Sequence, residues 1–296
     1  SNEYFPLILV AVSLVAFEIL NLFYNLSLHD VANKKKRGLI SSLGWATGYL
    51  GGLLSLIFIL TLLSITKEND FKILGQSIFL LLGPIVGIWA LIFGSKHMRH
   101  YKNKTFKIDK FIYFLKEIKF NKINKFLVSY FFFNNSVICI FAFASMIASF
   151  LFGFSEEEIL RLGIFINFAG IIGCLSLGKF EDNFGSENIV ITCIIFLMLT
   201  TIALYFTNDK IVFWILSLII GFFIGPIQAA SRSLISKRLE SKSQLSVFCI
   251  YSMFGNICSI LGPFLVGLVI NLTSDIRQGL LVIPIFFFIS LIPLYK

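Results

Sequence analysis

The sequence predicts an all-α polytopic membrane protein, and three observations carry that prediction. Apolar residues make up 57% of the chain and charged residues only 14%, with a mean hydropathy of +0.89. A soluble domain carries about 25% charged residues and cannot hide this much apolar surface in its core. The apolar residues fall in long continuous runs, and the basic residues gather in alternate connections between them.

Nine spans are expected: 5–28, 43–66, 74–95, 126–152, 157–178, 188–207, 211–231, 244–271 and 277–295. Each approaches or exceeds the roughly 20 residues that cross a hydrocarbon core as a helix. A membrane β-barrel needs short alternating segments, which are not seen. The first span has no basic leader and no small-residue cleavage site, so it reads as a membrane helix rather than a signal peptide.

Charge sets the expected orientation. Segments 29–42, 96–125, 179–187 and 232–243, with Lys296, hold 20 of the 25 basic residues. The positive-inside rule places that set in the cytoplasm, the N-terminus of the chain outside and its C-terminus inside. The net charge of +9 then reports topology, and a nucleic-acid partner is not expected. A monomer in a bacterial inner membrane is the expected setting.

Cysteine and histidine offer no metal or redox chemistry. Cys139, Cys174, Cys193, Cys249 and Cys258 all lie in apolar spans with no C-x-x-C pair. His97 and His100 could share a helix face, but no Cys or carboxylate completes a ligand set. No cofactor is expected.

Segment 96–125 is the longest polar stretch, with ten basic residues against Asp109 and Glu117. Ile108, Phe111, Ile112, Leu115 and Ile118 recur at helical spacing among lysines, which suits an amphipathic helix on an anionic leaflet. Three spans precede this segment and six follow it. Transporters built as two six-helix halves carry such a link at their midpoint. The expected organisation is therefore 1–95 as three helices of an N-terminal bundle, 96–125 as a cytoplasmic linker, and 126–296 as a complete C-terminal bundle. On that count the sequence reads as nine of twelve helices, with three expected upstream. Gly44, Gly48 and Gly52 form small-x-x-x-small steps expected to bring helices close, and Pro84, Pro226 and Pro263 are expected kinks.

Ionisable groups inside spans are functional candidates. Glu18 lies near the middle of the first span, with Asn21 and Asn25 at i+3 and i+7 on the same stripe. A carboxyl there should face a cavity, where it can carry a coupling proton. Tyr130, Asn134, Asn135 and Asn167 are candidates for the opposite wall, and Gln228 with Arg232 closes another helix at its cytoplasmic end. Arg232 is either a positive-inside anchor or the partner of a gate carboxylate.

The stretch LSLGKFEDNFGSENIV at 175–190 resembles the short cytoplasmic loop of major facilitator transporters. Gly178, Asp182 and Gly185 match its G-x-x-x-D-x-x-G pattern, in which the Asp caps a helix or pairs with a gate arginine. The basic residues usual after the second Gly are replaced by Ser186, Glu187 and Asn188. GWATGYLGG and GPIQAASRSL, with YFFFNNSVICIFAFA and GFSEEEILRLG, extend the resemblance to the vacuole-effluxer-like family. The expected function is a secondary active transporter of a small polar solute by alternating access, with Glu18 carrying a coupling proton; amino acids as the solute are what the resemblance implies. Where the family often shows Asn-Asp, this chain has Asn134-Asn135. The competing readings are a transport-inactive sensor or scaffold and an integral membrane enzyme, but no catalytic constellation is present for the latter.

Overall fold

The computed structural model describes residues 4–69, 83–84, 87–92, 94, 122–238 and 244–295. The described chain is helical and holds no strand. The helices are α1 (Tyr4–Val31), α2 (Arg37–Asn69), α3 (Lys122–Phe152), α4 (Glu156–Phe184), α5 (Ser186–Phe206), α6 (Lys210–Arg238), α7 (Gln244–Thr273), the short α8 (Ile276–Leu280) and α9 (Val282–Tyr295). Among the described residues eight spans are long and apolar enough to cross a membrane, α8 and α9 together making the last. The expected span at 74–95 falls largely outside the described residues, and its described parts are helical. The expected surface helix within 96–125 also lies outside them, except that residues from Lys122 onward already belong to α3.

Local chemistry sets the ends. Ser155 caps α4 in a reciprocal box with Glu158, satisfying two donors that a helix start leaves open. Asp209 accepts from the amides of Ile211 and Val212 at the start of α6. Sequence reading placed a loop at 179–187; instead α4 continues through Asp182 to Phe184. Gly185 alone, at φ +89°, joins α4 to α5, a conformation that glycine adopts without steric cost.

Helices α3, α5, α6, α7 and α9 enclose one apolar core that includes Phe126, Phe133, Ile194, Leu197, Phe248 and Phe287. Ser129 and Ser136 of α3 donate to the carbonyls of Ser290 and Ile283, tying α3 to α9. Helix α4 crosses α6 closely. A Cβ at Gly173 would strike the Phe222 carbonyl, and one at Gly221 would lie 2.9 Å from that of Ile166. Of the three glycines expected to bring helices close, two sit against neighbours: a Cβ at Gly44 would strike the Tyr24 hydroxyl and one at Gly52 would lie 3.1 Å from Asn167 Oδ1, whereas one at Gly48 would meet nothing within 4 Å.

Helix α2 runs antiparallel along α4 for most of its length. Gly38 faces Asp182, Ser42 faces Gly178, Tyr49 faces Gly170, and Leu56 faces Gly163. Helix α1 touches α6 and α7 through its second half, while Leu7 to Phe17 of its first half are exposed. Two helices from before the 96–125 segment therefore pack on the six-span bundle that follows it.

Candidate functional site

Two polar clusters lie where α1 and α2 meet that bundle. The first sits inside the membrane span. Counting 1.5 Å per residue from the ends of α1, α3, α6 and α7, its members lie about 10 to 20 Å deep. Glu18 of α1 lies beside Asn256 of α7, where the two helices pack together. Tyr130 of α3 stacks on Tyr251 of α7, with ring centroids 3.9 Å apart. Gln228 of α6 donates to Asn134 Oδ1 at 3.2 Å. A Cβ at Gly255 would lie 3.3 Å from the Tyr130 hydroxyl and 3.9 Å from the Asn134 amide, so that glycine keeps the space between them open.

Four of the expected residues (Glu18, Tyr130, Asn134 and Gln228) thus converge from three helices. Asn21 and Asn25 are half-buried further along α1. Asn135 points elsewhere: its amide donates to the Phe131 carbonyl and to Cys258 Sγ, within the packing of α3 on α7. Asn167 stands apart beside Gly52, bonded to the Gly163 carbonyl. Tyr251 and Asn256 escaped sequence reading. Asn256 lies in FGNICSILGPFLVG, a run whose small residues draw attention away from its one amide.

The second cluster closes the end where α1 finishes and α2 begins. Asp182 accepts from the backbone N–H of Gly38 and of Leu39, at 3.0 Å each. A carboxylate there satisfies donors that the first turn of α2 leaves open and faces the positive end of its dipole. Lys237 of α6 reaches Asp182 at 2.9 Å and Glu181 at 3.5 Å. Glu181 is 1% exposed and accepts from Ser186 at 2.6 Å. The position after Gly185, where a basic residue is usual, is thus filled by a serine inside the ion-pair cluster. Arg238 pairs with Glu187, and buried Arg37 donates to the Ser236 carbonyl and contacts His29. Gly178 sits against Ser42, where a Cβ would collide.

Among the described residues, Arg232 has no carboxylate within 4 Å. It is 3% exposed; its Nε and Nη2 donate to Ser41 Oγ and Ser41 carbonyl at 3.0 and 3.1 Å, and its guanidinium lies 4.2 Å over the Tyr24 ring. Among the described residues, no group of three or more His, Cys, Asp or Glu is arranged to hold a metal ion.

The sequence profile of the family described as "Vacuole effluxer Atg22 like" matches residues 24–296. The chain is 25% identical over 304 residues to the MFS-type transporter YxiO of Bacillus subtilis, covering 98% of this chain and 71% of that protein. It is 26% identical over 214 residues to autophagy-related protein 22 of Vanderwaltozyma polyspora, covering 66% of this chain and 40% of that protein. Identity to the Pichia angusta protein of that name is 34% over 82 residues, 28% of this chain and 14% of the other. The chain thus spans less than half the length of either autophagy-related protein.

Proposed function

Because the chain belongs to the family of Atg22-like vacuole effluxers, a transporter family, we propose that it moves a small polar solute by alternating access, driven by a proton gradient. The observation that carries the proposal is the meeting of Glu18 and Asn256 across α1 and α7, beside the stacked Tyr130–Tyr251 pair. A carboxyl at that depth is costly unless a cavity, a cation or a proton serves it. Two phenols, three amides and one carboxyl gathered from four helices can hold a solute with several polar groups. Amino acids are the solute class assigned, on the resemblance to the effluxer family.

The sealed cluster of Asp182, Lys237 and Glu181 is assigned as the cytoplasmic gate in its closed state, with the positive-inside reading setting its side. Ser186 and Lys237 supply contacts where the usual basic residues are lacking, which favours a working transporter over a sensor that has lost its gate.

The test uses the full-length protein in proteoliposomes. Glu18→Gln keeps shape and a hydrogen bond but removes titration. It is expected to abolish pH-gradient-driven accumulation while leaving exchange of labelled for unlabelled amino acid near the parent rate. Accumulation by Glu18→Gln at the parent rate assigns Glu18 to structure and moves proton coupling to another group.

A further inference from the structure

A cavity of about 300 Å³ opens between α1 and α2, and Arg232 reaches into it from α6 beside Tyr24, Ser27, Gly44 and Thr47. The volume is at the lower end of the range that small-molecule sites occupy. Two features set Arg232 apart from the two cations that follow it on α6, Lys237 and Arg238. Lys237 has Asp182 and Glu181, and Arg238 has Glu187. Among the described residues Arg232 has no carboxylate within 4 Å, although it is the most buried of the three.

Its contacts also leave one edge of the guanidinium open. Five N–H groups are available on an arginine. Nε and one hydrogen of Nη2 go to Ser41, and the flat face is taken by Tyr24. The remaining edge, formed by Nη1 and Nη2, is the fork that receives a planar carboxylate through two parallel bonds. Ser41 and Tyr24 hold that fork in place, so little side-chain freedom is lost when an anion docks. Ser41 is itself fixed, donating to the Ala229 carbonyl at 2.7 Å.

The cavity walls restrict the anion. The Ser27 and Thr47 hydroxyls are already spent on the carbonyls of Tyr24 and Gly44, and Leu28, Ile40 and Leu43 supply an apolar remainder. One cation among apolar walls balances one negative charge, which suits a monoanion rather than a phosphate dianion. Gly44 is required beside it: a Cβ there would strike the Tyr24 hydroxyl and lie 3.1 Å from Arg232 Nη2.

We propose that Arg232 is the anion-recognition residue of the transport pathway and takes the carboxylate of the solute in this cavity. The inference rests on the transporter reading above and adds to it the group that selects the solute.

The experiment measures exchange in proteoliposomes of the full-length protein, with each L-amino acid matched against its carboxamide. The parent protein is expected to move carboxylates at least tenfold faster than the matched amides. Arg232→Gln is expected to erase that preference, raising KM for the carboxylates at least tenfold, and Arg232→Lys to restore part of it. A structural arginine would give a different result: Arg232→Gln would slow both solutes alike and leave their ratio unchanged, which overturns the proposal. The comparison within the parent protein needs no variant, and equal movement of amides and carboxylates there overturns the proposal while leaving the transporter reading intact. No movement of any solute overturns both.

Discussion

Replacing Asp182 by Asn should release the closed end of the bundle. In the structure the carboxylate holds two backbone N–H groups of α2, at 3.0 Å each, and the Lys237 ammonium at 2.9 Å. An amide has one acceptor oxygen, so one backbone donor of α2 would face an NH2 group. Hydrogen bonds to a charged partner are worth about 1.5–3 kcal/mol against roughly 1 for neutral ones. The dipole of α2 adds about 0.3–1 kcal/mol more. Lys237 keeps Glu181 at 3.5 Å, which offsets part of the lost ion pair. The net loss is then about 3 kcal/mol for the closed state, or roughly a hundredfold in the closed-to-open ratio. Ser42 reports on that ratio because it is 2% exposed and packs on Gly178 of α4. With the five native cysteines replaced, Ser42→Cys should react with a hydrophilic maleimide about a hundredfold faster in Asp182→Asn than in its parent, in line with that shift. The melting temperature, measured alongside, separates gate opening from loss of fold. A labelling rate within twofold of the parent, at an unchanged melting temperature, would refute the assignment of Asp182 as the latch.

Three further outcomes are expected. Gly173→Ala should lower thermal stability by at least 1–3 kcal/mol, because its Cβ would meet the Phe222 carbonyl backbone; a melting curve in detergent checks this, and Gly48→Ala, which meets nothing within 4 Å, serves as the neutral control. Asn256→Ala should weaken pH-driven accumulation more than exchange, since it removes the amide beside Glu18; equal losses in both assays would count against Asn256 acting through Glu18. Single cysteines at Asn69 and Asn103 should label from opposite sides of the membrane, and labelling from one side would undo the assigned orientation.

Apolar length and charge alternation made the helices legible, because lipid leaves few other ways to satisfy a backbone. Glu18 was legible for the same reason: an acid within an apolar span stands out. The partners were not. Asn256 and Tyr251 became neighbours of Glu18 and Tyr130 through the packing of α1 and α3 on α7, and no local pattern encodes which faces meet. Arg37 was hidden in a run of four basic residues, although it alone of that run is buried. Ser41 and Ser42 looked like ordinary small residues, yet one fixes Arg232 and the other seats Gly178. The misplaced loop at 179–187 has a simple cause. Its polar residues, Lys179, Glu181, Asp182 and Asn183, suggest exposed coil, whereas Glu181 and Asp182 stay on the helix because α2 and α6 supply their partners.

The single-residue joint at Gly185 bears on how fast the closed end can open. With no slack between α4 and α5, Asp182 on one side and Glu187 on the other are carried by the same stiff corner. Both are fastened to consecutive residues of α6, Lys237 and Arg238. A floppy connection would let individual contacts break and re-form within nanoseconds, each on its own schedule. A stiff corner must shed its ion pairs in concert with the tilting of whole helices, a motion of microseconds to milliseconds. The opening frequency of this end should therefore track the rigidity of the α4–α5 corner, and lengthening that joint by a few flexible residues should raise the frequency without altering any side chain of the latch.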